Sequence, residues 1–105
     1  MVNRGEVWLT EFDTPGEANG GSHPCVVVSP PEIHDFLRVV MVAPVTAATK
    51  PAAYRVPVKL AGLEGVIRLE QLRTVDRRQL IRQVGAVERQ TLDTALATLR
   101  EMFAE

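Results

Sequence analysis

One cysteine stands among 105 residues. Cys25 can close no disulfide within the chain, so burial alone must hold the fold, as in proteins of a reducing compartment. No apolar run approaches the roughly 20 residues a membrane helix needs, and the opening MVNRGEVW has no signal-peptide core. The expectation is a cytoplasmic protein with no membrane association. His23 and His34 lie 11 positions apart without a companion cysteine, which offers no zinc-type ligand set, and no P-loop or dinucleotide-binding glycine pattern occurs. Neither metal nor cofactor is expected. A cationic excess is also missing: 12 Lys and Arg face 13 Asp and Glu, for a net charge of −1, so bulk charge does not mark a nucleic-acid binder.

What is present is an ordinary apolar share of 46%, enough for one core, and at this length one domain spanning 1–105 is expected. Glu6 to Phe12 alternates with the period of a strand. Asp13 to His23, with Pro15, Gly16, Gly20 and Gly21, reads as a long loop. Cys25 to Ser29 reads as a buried strand ended by Pro30-Pro31, and Val39 to Ala43 as a third closed by Pro44. Between them Glu32 to Phe36 reads as one helical turn, with His34 on the surface. Tyr54 to Leu60 alternates, and Pro57 puts it at an edge or bulge. Gly65 to Leu69 and Ile81 to Val87 supply two more strands. From Glu88 the period changes: Leu92, Ala95, Leu96, Leu99, Met102 and Phe103 draw an apolar stripe along a helix. The fold class expected is mostly β, a small antiparallel barrel or sandwich with a C-terminal helix. Arg68, Arg73, Arg77, Arg78 and Arg82 crowd into 15 residues; they form either a local basic patch or a solvated turn.

Three stretches, in order, resemble the MazF/PemK family of toxins, which includes Kid. They are Arg4-Gly5-Glu6-Val7-Trp8-Leu9 with the turn Phe12 to Pro15, the segment GEANGGSHPCVVVS from Gly16 to Ser29, and Arg68-Leu69-Glu70-Gln71-Leu72-Arg73-Thr74-Val75-Asp76. Between them Ala43-Pro44-Val45-Thr46 is similar to a proline-and-threonine strand end of the family. The resemblance implies an SH3-like barrel related to CcdB and a homodimer. It further implies metal-independent cleavage of single-stranded RNA, and inhibition by a cognate MazE/PemI-like antitoxin.

Cleavage of RNA without a metal uses the ribose 2′-hydroxyl as nucleophile. The site must then supply a base, an acid for the departing 5′-oxygen, and positive charge on the phosphate. Arg68 and Glu70 stand two apart on an expected strand, hence on one face. Read alone they make a surface salt bridge; the resemblance implies Glu70 as base and Arg68 on the phosphate. A guanidinium keeps its proton, so a separate acid is welcome. His23 stands where many family members have an Arg. An imidazole exchanges protons near neutrality, so His23 is either that acid or the end of a loop beside a weakened site. The resemblance also implies a hydroxyl from Thr46, whose usual serine neighbour is Ala47 here, and RNA contacts from Glu17, Asn19, Ser22 and Arg73. Ala18 stands where the family often has a Glu; Glu17 substitutes for it, or that carboxylate is lost. A structural role for Arg73, paired with a carboxylate, and a cap by Asp76 on Arg77 to Leu80 stay open beside this. Trp8 is either a base-stacking residue or, more in keeping with a short barrel strand, core or dimer interface. Two other readings share the fold: a CcdB-like toxin that traps gyrase, against which the end Met102-Phe103-Ala104-Glu105 counts, and a non-catalytic member that binds antitoxin and operator DNA.

Overall fold

The computed structural model describes residues 2–12, 21–47, 52–60 and 62–105, and of Leu63 the backbone alone. The elements run β1 (Glu6–Phe12), β2 (Gly21–Val27), α1 (Pro31–Leu37), β3 (Val39–Ala47), β4 (Arg55–Leu60), β5 (Leu63–Arg68), a 3-10 turn (Leu69–Gln71), β6 (Arg73–Asp76), a second 3-10 turn (Arg77–Gln79), β7 (Leu80–Ala86) and α2 (Arg89–Met102). Antiparallel pairing gives the order β4-β5-β3-β2-β1-β7, with β6 also beside β3. The two ends of this path approach one another, since a Cβ on Gly85 of β7 would lie 3.9 Å from Cδ2 of Leu60 on β4. The result is a strongly bent, nearly closed sheet with a C-terminal helix, the class expected from the sequence.

β3 is the organising strand, and Pro44 does not close it. Met41 turns both backbone groups toward the β2 side: its N–H donates to Ser29 Oγ and its carbonyl accepts from Val28. Strand alternation then turns Val42, Pro44 and Thr46 toward the opposite edge. On that edge β6 pairs with residues 39–42 and β5 with residues 45–47. Pro44, which lacks an N–H, therefore sits where one partner has ended and the next has not begun. The 3-10 turn Leu69–Gln71 bridges the same gap. β6 itself, four residues with only Val75 buried, is too short for hydrophobic period to reveal it, and Gly21 to His23 belong to β2 rather than to a loop.

Successive residues of the strands feed two core clusters, one on each face of the sheet. Val26, Val28, Ala43 and Val45 join Val7, Val56, Val58, Ile67 and Leu69 in the first, which α2 covers with Ala95. Cys25, Val27, Val40 and Val42 join Val2, Phe12 and Val75 in the second, with Trp8 half-buried against it. A fully buried side chain of this kind contributes roughly 1.5–3 kcal/mol, so burial on both faces accounts for stability without a disulfide. Gly5 has φ +90, and a Cβ there would stand 3.1 Å from Leu92 Cδ2, so glycine lets α2 dock beside β1. The apolar stripe of α2 stops short of Phe103, which lies past the helix end and is exposed. Among the described residues no helix is long and apolar enough to cross a membrane.

His34 is not a surface residue. It is 2% exposed, and so is Ser29. His34 Nδ1 lies 3.1 Å from the carbonyl oxygen of Val2, which can only accept, so Nδ1 carries the proton and Nε2 accepts from the Ser29 hydroxyl at 2.6 Å. The imidazole thus ties α1 to the N-terminal segment and to the end of β2.

Candidate active site

Glu70 lies on the 3-10 turn, not on the strand expected for it, yet it still meets Arg68. Its Oε2 accepts from Arg68 Nε at 3.2 Å and from Arg55 Nε and Nη2 at 3.2 and 3.0 Å. The side chains are 32% (Glu70), 28% (Arg68) and 23% (Arg55) exposed, so the trio is open to solvent on one side. Arg55 reaches it because β4 and β5 pair with Arg55 opposite Arg68, which projects both from one face. Burial pushes the Glu70 carboxyl up, but hydrogen bonds from Arg55, its own backbone and Arg68 outweigh this and hold it below the usual carboxylate range. Two guanidinium groups meet one carboxylate, so the trio carries net positive charge suited to a phosphodiester.

Register extends this face. Thr46 pairs opposite Val66, two residues before Arg68, so Thr46, Arg68 and Arg55 share a side of the sheet. Cys25 opposite Pro44 gives His23, two residues earlier on β2, the same side as Thr46. The His23 ring stacks on Phe12, with centroids 4.5 Å apart and 25° between planes. The Arg73 guanidinium lies 3.9 Å from the centroid of that same Phe12 ring, a cation–π contact. Ser22, opposite Glu11, leaves β2 on the other face. Glu17, Asn19 and Ala18 lie outside the described residues.

Asp76 behaves as expected. It caps the second 3-10 turn by accepting from the Arg78 N–H at 2.8 Å, while Gln79 Oε1 accepts from the Asp76 N–H at 2.8 Å. Cys25 lies beneath the site, fully buried, and burial pushes its thiol up to about 11 against the opposing pull of Thr10 and Arg73, which leaves it unreactive at neutral pH. Among the described residues no group of three or more His, Cys, Asp or Glu is arranged to hold a metal ion. Sequence reasoning missed Arg55 and Phe12. Alternation alone places Arg55 on the wet side of its strand, and only the β4–β5 register brings it to Glu70.

A family profile described as PemK-like, MazF-like toxin of type II toxin–antitoxin system matches residues 3–103. The chain belongs to this family. The endoribonuclease PemK of Escherichia coli is 33% identical over 81 residues, covering 71% of this chain and 61% of PemK, so the match spans under two thirds of that relative. The endoribonuclease EndoA of Bacillus subtilis is 29% identical over 100 residues, 89% of this chain and 86% of EndoA. In fold, MazF of Deinococcus radiodurans matches with a TM-score of 0.78 at 24% identity over 96% of this chain and 94% of that one. A MazE–MazF complex from the same organism matches at 0.80, with 21% identity over 98% and 95%. These likenesses establish that the bent sheet and terminal helix are the MazF-like fold.

Proposed function

We propose that this MazF/PemK-family chain is the toxin of a type II toxin–antitoxin pair and a metal-independent endoribonuclease that cleaves single-stranded RNA. The observation that carries the reading is the surface trio of Glu70, Arg68 and Arg55 on the face shared with Thr46 and His23. Glu70 takes the proton from the ribose 2′-hydroxyl, and the 2′-oxygen attacks phosphorus. Arg68 holds the non-bridging oxygens as charge builds on them, with the Thr46 hydroxyl beside it. The P–O5′ bond breaks and His23 delivers a proton to the leaving oxygen, so the products are a 2′,3′-cyclic phosphate and a 5′-hydroxyl. Phe12 fixes the His23 ring by stacking, which supports a set orientation for that transfer. Arg73, with Glu17 and Asn19, contacts the flanking RNA, whereas Ser22 faces the other side of the sheet.

The MazE-bound relatives support a MazE-like antitoxin as the partner. Exposed Ile81, Val84 and Phe103 support a second copy of the chain, and the family context supports a cytoplasmic site of action. The purified protein, given single-stranded RNA in EDTA, is expected to yield cyclic-phosphate ends. Glu70→Gln and Arg68→Ala should abolish cleavage with unchanged circular dichroism, and His23→Ala should flatten the alkaline limb of the pH–rate profile. Full cleavage by the first two variants would remove both residues from the mechanism; a parent that binds antitoxin but never cuts would favour the non-catalytic reading.

A further inference from the structure

We propose that Arg55 is an exchangeable counter-ion. It holds Glu70 while the site is empty and passes to the scissile phosphate when RNA binds, leaving Glu70 free to take the 2′-hydroxyl proton. This rests on the reading of Glu70 as the base. It adds to that reading a second phosphate-binding cation and a way in which substrate switches the base on.

The geometry supplies the argument. Among the described residues, three guanidinium hydrogen bonds converge on one oxygen, Glu70 Oε2, and two of them come from Arg55. A carboxylate held in this way is a weak base, because each contact favours its charged form. Cleavage therefore calls for a state in which those donors are turned elsewhere. A phosphodiester carries the same single negative charge as the carboxylate and accepts the planar guanidinium fork at least as well. Exchanging one anion for the other leaves the charge of the cluster balanced, and the one-sided exposure of the trio lets the exchange occur without opening the core. Val56 and Val58, buried on the other face of β4, hold the strand in place while the long Arg55 side chain swings. Among the described residues, the ionisable groups that contact Glu70 are Arg68 from β5 and Arg55 from β4, and the Tyr54 carbonyl accepts from the N–H of Leu69 beside it. Arg73 lies on β6 over the Phe12 ring, and β3 (VVMVAPVTA) brings no ionisable side chain.

The test uses the full-length protein, a short oligoribonucleotide substrate and its 2′-deoxy analogue, which binds but cannot be cut. In the parent, the acid limb of kcat should lie at higher pH than that of kcat/KM, because bound substrate draws the guanidinium from Glu70. Arg55→Gln should bring the two limbs together, raise the kcat/KM limb, and weaken the 2′-deoxy analogue by about 10- to 100-fold, the loss expected for a hydrogen bond between charged groups. Arg55→Lys should recover part of the affinity and an intermediate limb. Arg55→Gln with parental analogue affinity and unmoved limbs would overturn the exchange and leave Arg55 an ordinary salt-bridge partner. Full cleavage by Glu70→Gln would instead sink the base reading, whatever the Arg55 variants do.

Discussion

Replacing Ser29 with alanine tests the buried knot described above. Ser29 Oγ does two things at once: it accepts from the Met41 N–H at 2.9 Å and donates to His34 Nε2 at 2.6 Å. Alanine removes both contacts in a site where serine and histidine are each 2% exposed, so no water comes in easily to replace them. An orphaned buried polar group costs about 1–3 kcal/mol; Met41 is half-buried, so its N–H takes the low end. The sum is a loss of about 2–4 kcal/mol, which in a domain of this size lowers the melting temperature on the order of 10–30 °C. Urea unfolding of Ser29→Ala, His34→Ala and the double variant provides the measurement. The two single losses should fail to add, because both variants break the same contact. A loss below about 0.5 kcal/mol for Ser29→Ala, or strict additivity, would refute the assignment of His34 as a buried acceptor.

Gly65→Ala places a Cβ 2.3 Å from the Thr46 carbonyl oxygen, so β5 must move from β3; a loss of about 1–3 kcal/mol is expected, together with weaker cleavage, and an unchanged melting curve would contradict the close approach. Cys25, with its thiol near 11, should hold roughly one thiolate per thousand at about pH 8 and resist iodoacetamide until urea unfolds the chain; stoichiometric labelling of the folded protein within minutes would count against its burial. Glu70 has a lowered pKa in the fold, so its pairing stabilises above the unfolded carboxyl value of about 4.3 and that contribution fades as pH falls through the lower folded value. The stability gap between parent and Glu70→Gln should therefore narrow on acidification below about pH 4, and a gap that stays constant to about pH 2 would argue against the ion pairs.

Alternation and helical period made β1, β4 and α2 legible, because each has a buried side long enough to leave a pattern. Glu70 and Arg68 were legible through a motif, although the local backbone differs from the strand they suggest. Pro44 misleads because a proline usually ends a ladder, and its tolerance here depends on a vacancy that only the arrangement of three other strands creates. His34 misleads for a related reason: its partners are Ser29, five residues back, and the carbonyl of Val2, 32 residues back, and no local signal announces either. Arg55 is invisible in the same way, being one wet-face cation among several until strand pairing sets it against Arg68.

The passage of β3 from β5 to β6 also constrains how this chain can vary. Arg68 and Arg73 flank a stretch of fixed length, and the parity of that stretch decides which side of the sheet β6 presents. One inserted residue between them would turn β6 over, lifting Val75 out of its apolar cluster and swinging Arg73 away from Phe12. Substitutions between these two arginines are therefore far easier to accommodate than insertions or deletions, and the carboxylate at the centre inherits its position from counting as much as from chemistry.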